Sequence, residues 1–350
     1  MEKIEITGFR NLAPLRWLPH AKFNIISGEN AAGKTSLLEA IYFLARARSF
    51  RTHRLDRLIQ WGEEVCQVFA LRNGQGLGAA RQRQRTQLRY NGETLRNRAM
   101  LATQLPVQLI NTEHQRLLLD GPQVRRQFLD WGAFHLNTDY RRLASGYAEA
   151  LRQRNAALRS GDRRQETAWT QILARYAEGI DRERRAFVDA LRPNWQKLAE
   201  HWLNNDRLGL HYAGGAPEDG DWLRLLTSRR ESDRECGYTR QGPHRADLRL
   251  TYGKELASEA LSRGQQKLLI VAMLLAEVRL WAERGLQPLL LIDDLSAELD
   301  ADRLAGVLDT LQRTPVQTFI TAIEAAPLVA CCSTSEHLKL QAGRALAMVQ

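Results

Sequence analysis

The 350-residue sequence predicts an α/β fold in which a sheet-based, phosphate-binding head is interrupted by an inserted helical arm. Three observations predict it. Gly28-Glu29-Asn30-Ala31-Ala32-Gly33-Lys34-Thr35 matches the phosphate-loop pattern G-x-x-x-x-G-K-[ST]. Far downstream, Pro288-Leu289-Leu290-Leu291-Ile292 is an unbroken apolar run that ends in Asp293-Asp294. The chain between these motifs carries long stretches of apolar residues at helical spacing.

The loop has the right neighbours. Phe23-Asn24-Ile25-Ile26 reads as a buried strand before it, and Leu37, Leu38, Ile41 and Leu44 fall on one helix face after it. Strand, loop and helix aim backbone N–H groups and a positive helix end at a polyphosphate. Gly28 to Gly33 form the cradle, and Ser36 continues the motif into the helix. Lys34 is expected to reach the β- and γ-phosphates, and the Thr35 hydroxyl to hold Mg²⁺. ATP and Mg²⁺ are therefore the expected cofactors.

The downstream run supplies the second half of the site. A strand buried on both faces is apolar throughout, and ligands of open α/β sheets sit at the carboxyl ends of strands. Asp293 is thus expected to meet Mg²⁺ beside Thr35, with Asp294 orienting the attacking water. Leu261-Ser262-Arg263-Gly264-Gln265-Gln266-Lys267 precedes an apolar helix that should end near Gly285. Ser262, Gly264 and Gln265 at that helix start resemble the signature motif of ABC-type ATPases. Ser296-Ala297-Glu298-Leu299-Asp300 is similar to their D-loop.

Further blocks narrow the resemblance. Ile4-Glu5-Ile6-Thr7-Gly8-Phe9-Arg10-Asn11, the phosphate loop with Leu37-Leu38-Glu39-Ala40-Ile41, Gly121-Pro122 with Arg125-Arg126 and Phe128-Leu129-Asp130, and Gly242-Pro243-His244-Arg245-Ala246-Asp247-Leu248 occur in order. With the signature, they resemble the RecF family of SMC-like bacterial recombination ATPases over nearly the full length. The resemblance implies an ABC/SMC-type P-loop ATPase head, closing as an ATP-dependent homodimer. Each site would take Lys34, Thr35 and Asp293 from one chain and Ser262, Gly264 and Gln265 from the other. It also implies that Arg10 and Asn11 contact nucleotide, and that the protein acts with RecR and RecO to load RecA at single-strand gaps and duplex junctions.

Some positions depart from the family pattern. Ala31 replaces a frequent Gly, which is harmless if its φ is negative. Asp294 stands where a Glu is usual and reaches one methylene less far, implying slow hydrolysis. Thr321 occupies the position of the switch histidine. Either Glu113 or Gln115 stands where the γ-phosphate-sensing Gln would be.

Charge points to a polyanionic partner. The net charge is +10, and between Arg46 and Arg98 twelve arginines face only Asp56, Glu63, Glu64 and Glu93. Such a patch is the electrostatic footprint of DNA. Arg51, Arg81, Arg83 and Arg85 are the expected contacts, the last three alternating along one strand face. No apolar run approaches the ~20 residues of a membrane helix, and no signal-peptide pattern opens the chain, so the cytoplasm is expected. The four cysteines form no C-x-x-C pair and read as inert thiols.

The expected organisation is a discontinuous head, 1–120 plus 240–350, and a helical arm or lobe at 121–239. Asn91-Gly92 predicts a two-residue hairpin turn. Tyr140 to Leu151 and Trp169 to Leu191 predict two antiparallel helices joined at Ser160-Gly161-Asp162, with Pro193 ending the second. So short an insert excludes a long coiled-coil arm. Two rival readings share these motifs: a transporter's nucleotide-binding subunit and a nuclease-coupled SMC-like ATPase. The transporter reading needs a membrane partner and leaves the arginine-rich segment unexplained, and no nuclease cluster of carboxylates stands out beyond Asp293 and Asp294. A third, a small-molecule P-loop kinase, leaves the signature and D-loop unexplained.

Overall fold

The computed structural model describes residues 1–95, 97–217, 220–294, 299–332 and 334–346. The chain divides into two compact units, residues 1–114 with 281–350, and residues 115–280. Most of the expected D-loop, 296–298, lies outside the described residues, as does Arg96.

The first unit holds two sheets. In one, Phe23–Ser27 lies centrally, with Gln317–Ala322, Leu289–Ile292 and Val107–Ile110 following in parallel on one side. Ser335–Gln341 pairs in parallel on its other side. All residues of Phe23–Ser27, Leu289–Ile292 and Gln317–Ala322 are buried. That agrees with the unbroken apolar sequence of Leu289–Ile292, because a strand covered on both faces has no solvent side to make polar. The helix Lys34–Arg46 follows the loop and buries Leu37, Leu38, Ile41 and Leu44, as their spacing predicts.

The second sheet of this unit is antiparallel. Lys3–Thr7 pairs with Leu15–Trp17 and with Val65–Arg72, and the hairpin strands Gln75–Gln82 and Arg85–Tyr90 follow. Alternate residues of Val65–Arg72 (Cys66, Val68, Ala70) enter the core, the period-two pattern of a sheet covered on one face. The turn at Asn91-Gly92 forms as predicted, with both residues at positive φ. The Arg81–Arg85 stretch does not run straight. Gln82 pairs with Arg85, so the chain reverses at Arg83-Gln84 and the three arginines do not line one strand face.

The second unit is dominated by the helices Pro122–Leu136, Tyr140–Ser160 and Arg163–Leu203. Gly161 and the Asp162 cap make the turn between the latter two, where the sequence placed it. Pro193 does not end its helix, which continues for ten further residues. Losing one N–H and crowding a carbonyl costs about 3 kcal/mol. Burial of Leu191, Trp195, Leu198 and Ala199 on both sides of the proline offsets that cost. Residues 240–280, grouped with the head on sequence, belong to this unit by packing. Asp247–Tyr252 pairs along its whole length with Leu208–Ala213. The helix Arg263–Glu283 then runs toward Gly285, whose φ of +80° suits a helix stop. No described helix is long and apolar enough to cross a membrane.

Candidate nucleotide site

The phosphate loop sits where the strand Phe23–Ser27 gives way to the helix Lys34–Arg46. Its shape is held from behind. Asn11 Nδ2 donates to the Ala31 carbonyl at 3.0 Å, and Ser36 Oγ donates to Asn11 Oδ1 at 2.8 Å. The Gly343 amide donates to the Ala32 carbonyl at 3.0 Å, so the turn of the last hairpin also braces the loop. At Gly28 a Cβ would lie 2.3 Å from the Leu340 carbonyl oxygen, which excludes any side chain. Asn11 therefore enters the site as a brace on the loop backbone. Nothing in the sequence signals the hairpin contact, because it joins residues over 300 positions apart.

Ala31 adopts φ +64°, so the condition under which it replaces Gly without cost is not met. The left-handed conformation costs a Cβ-bearing residue roughly 1–2 kcal/mol. Strain of this kind survives where surrounding contacts over-determine the backbone, here the Asn11 bond to its carbonyl.

Lys34 is buried, and its ammonium donates to the carbonyls of Gly28 at 2.6 Å and Glu29 at 3.0 Å. Opposite, Thr35 Oγ1 donates to Asp293 Oδ1 at 3.0 Å. Thr321 Oγ1 donates to the same oxygen at 2.8 Å and accepts the Asp294 amide at 2.9 Å. Thr321 thus links the ends of two adjacent parallel strands to the phosphate loop. Burial pushes the Asp293 carboxyl above its usual range, the two threonine hydroxyls oppose that shift, and Asp294 adds to it. A half-buried carboxylate with a neighbouring hydroxyl is a hard oxygen set that suits Mg²⁺, which takes few protein ligands and completes its shell with phosphate and water. Among the described residues there is no cluster of three or more His, Cys, Asp or Glu that could hold a metal unaided.

These groups line one cleft of about 510 Å³ together with Arg10, Asn11, Asn30 and Ala32. Arg51, Arg57 and Ile59 line it too. Arg10 makes two hydrogen bonds to Glu39, at 2.9 and 2.8 Å, and Glu39 is fully buried. Arg51 reaches the same carboxylate at 3.5 Å, and Ser49 also donates to it. Glu39 is therefore a buried hub that aims two guanidinium groups along the cleft wall. A carboxylate on an otherwise apolar helix face was the one sequence signal for it. Glu113, by contrast, is exposed on a short 3₁₀ turn, and neither it nor Gln115 lines the cleft.

Ser262, Gly264 and Gln265 belong to the second unit. There the Ser262 amide donates to Gln265 Oε1 at 2.9 Å, and the Gln265 amide approaches Ser262 Oγ at 3.4 Å. This is a reciprocal capping box, and it gives both side chains a local role at the start of the Arg263–Glu283 helix.

The basic segment gains a shape that the sequence did not foretell. Asp56 accepts from Arg81 Nε at 3.0 Å and from the Gln84 amide at 3.1 Å. The hairpin tip that carries Arg83 and Arg85 is thereby fastened to the 3₁₀ turn Leu55–Leu58, which carries Arg57. Arg81 is largely covered and committed to Asp56, whereas Arg85 is exposed.

A phosphate loop facing two strand-end carboxylates, with a signature-bearing helix start elsewhere in the chain, defines an ABC/SMC-type P-loop ATPase head. The model of the RecF/RecN/SMC N-terminal domain matches residues 1–342, and the chain belongs to that family, among its RecF members. It is 40% identical over 338 residues to the DNA replication and repair protein RecF of Stutzerimonas stutzeri, covering 94% of this chain and 91% of that protein. It is also 40% identical over 334 residues to the same-named protein of Pseudomonas aeruginosa strain LESB58, covering 93% and 90%. The fold matches a solved structure of the recombination mediator protein RecF with ATP, in the RecFOR pathway, at a TM-score of 0.86 and 24% identity over 98% of each chain. It also matches an Smc head bound to the C-winged helix domain of ScpA, at 0.60 and 15% identity over 98% and 95%.

Proposed function

We propose that this chain is an ATP-dependent DNA-binding protein of recombinational repair that closes around nucleotide as a homodimer. One observation carries the reading: Lys34, Thr35, Asp293 and Thr321 converge on one cleft, in a chain 40% identical to proteins named for DNA replication and repair. Lys34 exchanges the loop carbonyls for the β- and γ-phosphates of ATP. Thr35 and Asp293 would hold Mg²⁺, which neutralises phosphate charge when bound. Asp294, fixed through its amide to Thr321, polarises the attacking water. Arg10 and Arg51, aimed by Glu39, supply positive charge along the cleft wall.

The second protomer contributes Ser262, Gly264 and Gln265 over the γ-phosphate. For that, the capping box must open its Ser262 hydroxyl toward the ligand. ATP favours the dimer only by its better binding to the dimer than to the monomer. Basic surface from both protomers then holds DNA at gaps and junctions through phosphate contacts, and slow hydrolysis releases it. The family resemblance further implies that the protein serves RecA loading with RecR and RecO.

The test is fluorescence anisotropy on duplex and gapped DNA, with and without ATP, for the native protein and Ser262→Arg. ATP should tighten native binding, and the variant should lose only that gain. Binding indifferent to ATP in both proteins would refute the clamp. A transporter subunit would instead co-sediment with membranes, and a nuclease would nick plasmid in Mg²⁺ or Mn²⁺.

A further inference from the structure

Trp61 is the most exposed large apolar side chain among the described residues, at 101%, where the next, Leu18, stands at 65%. Single exposed hydrophobic residues are ordinary, but three further facts set this one apart.

The first is rigidity. The Glu63 amide donates to the Gln60 carbonyl at 3.0 Å, closing a turn with Trp61 and Gly62 at its corner. Gly62 has φ +91°, as the third residue of a type II turn requires. The Gln60 amide donates to the Gly8 carbonyl at 2.8 Å, the Arg10 amide to Leu58 at 2.8 Å, and Phe9 bridges Ile59. The indole is therefore displayed from a backbone fastened on the side leading into the turn, and stacking it would cost little ordering of the chain.

The second is charge. Arg48, Arg54 and Arg57, on the segment leading to the turn, are exposed. Their guanidinium groups make no ion pair among the described residues. The Asp56 fastening adds Arg83 and Arg85 from the hairpin tip. Just past the turn the sign reverses at Glu63 and Glu64, both exposed. A phosphate backbone that follows the arginines meets a repulsive border at Trp61.

The third is connection to the nucleotide cleft. Arg57 and Ile59 line that cleft, and Trp61 follows two residues later on the same fastened segment.

We propose that Trp61 stacks on the terminal base pair where duplex DNA ends at a single-stranded gap, while the neighbouring arginines hold the adjoining phosphates. Indole stacking tolerates any base, so the contact reads the end of a stack and not its sequence. The acidic border explains why an end is preferred to a continuous duplex: a backbone running past Trp61 would pass Glu63 and Glu64. The inference rests on the DNA-binding reading above and adds to it the residue that selects a junction.

The test uses the full chain with ATP and two DNAs: a dumbbell duplex closed at both ends, and the same dumbbell with a gap. A 2-aminopurine in the base pair beside the gap reports stacking. Trp61→Ala should weaken gapped binding about 5- to 100-fold and abolish the 2-aminopurine response, leaving the closed dumbbell within about twofold. Trp61→Phe should recover most of the loss. Arg54→Glu should weaken both DNAs together. If native protein binds neither DNA, the DNA-binding reading itself fails. If it binds both and Trp61→Ala leaves their ratio unchanged, that reading stands and the stacking proposal falls. Loss of self-association in Trp61→Ala, with DNA binding intact, would equally overturn the proposal and assign the turn to a protein contact.

Discussion

The nucleotide cleft and the buried ion pairs of the helical unit use charge in opposite ways. In the helical unit, Arg154 and Asp233 are both fully buried and joined at 2.8 Å. Arg154 also donates to Thr170 and Thr239, and Asp233 accepts the Arg240 amide, so the pair is hydrogen-bonded on every side. Glu166 is clamped by Arg230 and Arg234, and Arg184 by Asp130 and the Pro243 carbonyl. In the cleft, among the described residues, the Lys34 ammonium has only loop carbonyls as partners and the Asp293 carboxylate only hydroxyls. Lys34 and Asp293, with weak, replaceable partners, are free to take a ligand, whereas the ion-paired groups of the helical unit hold its helices in place. A buried charge is thus a fastener or a tool according to what already satisfies it.

The sharpest way to break the comparison is to unpair the fastener. Arg154→Met leaves Asp233 buried without its cation and should cost about 3–5 kcal/mol of unfolding free energy in urea titrations. Arg154→Met with Asp233→Leu should recover most of that loss. If the single variant is near neutral, the network is solvated and the contrast with the cleft disappears. Lys34→Ala should lower ATP turnover about 100-fold or more while leaving the urea midpoint close to native. A large stability loss there would make Lys34 a fastener too.

Acid should act on the helical unit through His244. Burial, more than any charge, lowers its pKa to about 4, and it sits against the Tyr147 hydroxyl at 2.6 Å. The unfolded chain then binds more protons than the folded one between an unfolded value of about 6.5 and the folded value of about 4. Its contribution is complete above that window and is lost as pH falls through it. Melting temperature should drop across this window, and less steeply in His244→Gln.

The opposite sign holds at Asp293. Its raised pKa means that the ionised form is worse off folded than unfolded, so stability falls as pH rises through the shifted value. Asp293→Asn should therefore stabilise the nucleotide-free protein by about 1 kcal/mol while removing Mg²⁺-dependent turnover. A destabilised variant would show that the carboxylate is already well satisfied. The smallest expected effect is at the loop itself. Ala31→Gly relieves the left-handed strain but adds freedom to the unfolded chain, for a net gain of about 0.5 kcal/mol by calorimetry.

The sequence by itself determined which principal side chains meet in the cleft. Lys34, Thr35 and Asp293 were legible because a phosphate loop and a strand-end carboxylate are local patterns, set by neighbouring residues and by the rule that ligands meet strands at their carboxyl ends. The flanking strand and helix were legible for the same reason, as was the Gly161 turn. Tertiary structure alone decided what no short window contains. It carried the helix through Pro193, because buried side chains on both sides outweigh one lost hydrogen bond. It turned Arg81–Arg85 into a hairpin tip and committed Arg81 to Asp56. It brought Thr321, Glu39 and the Gly343 turn to the loop, and sent Ala31 to positive φ. Local sequence sets which groups are available, but the ionic partners of Glu39, Arg154 and Glu166 lie far along the chain, and only packing brings them together.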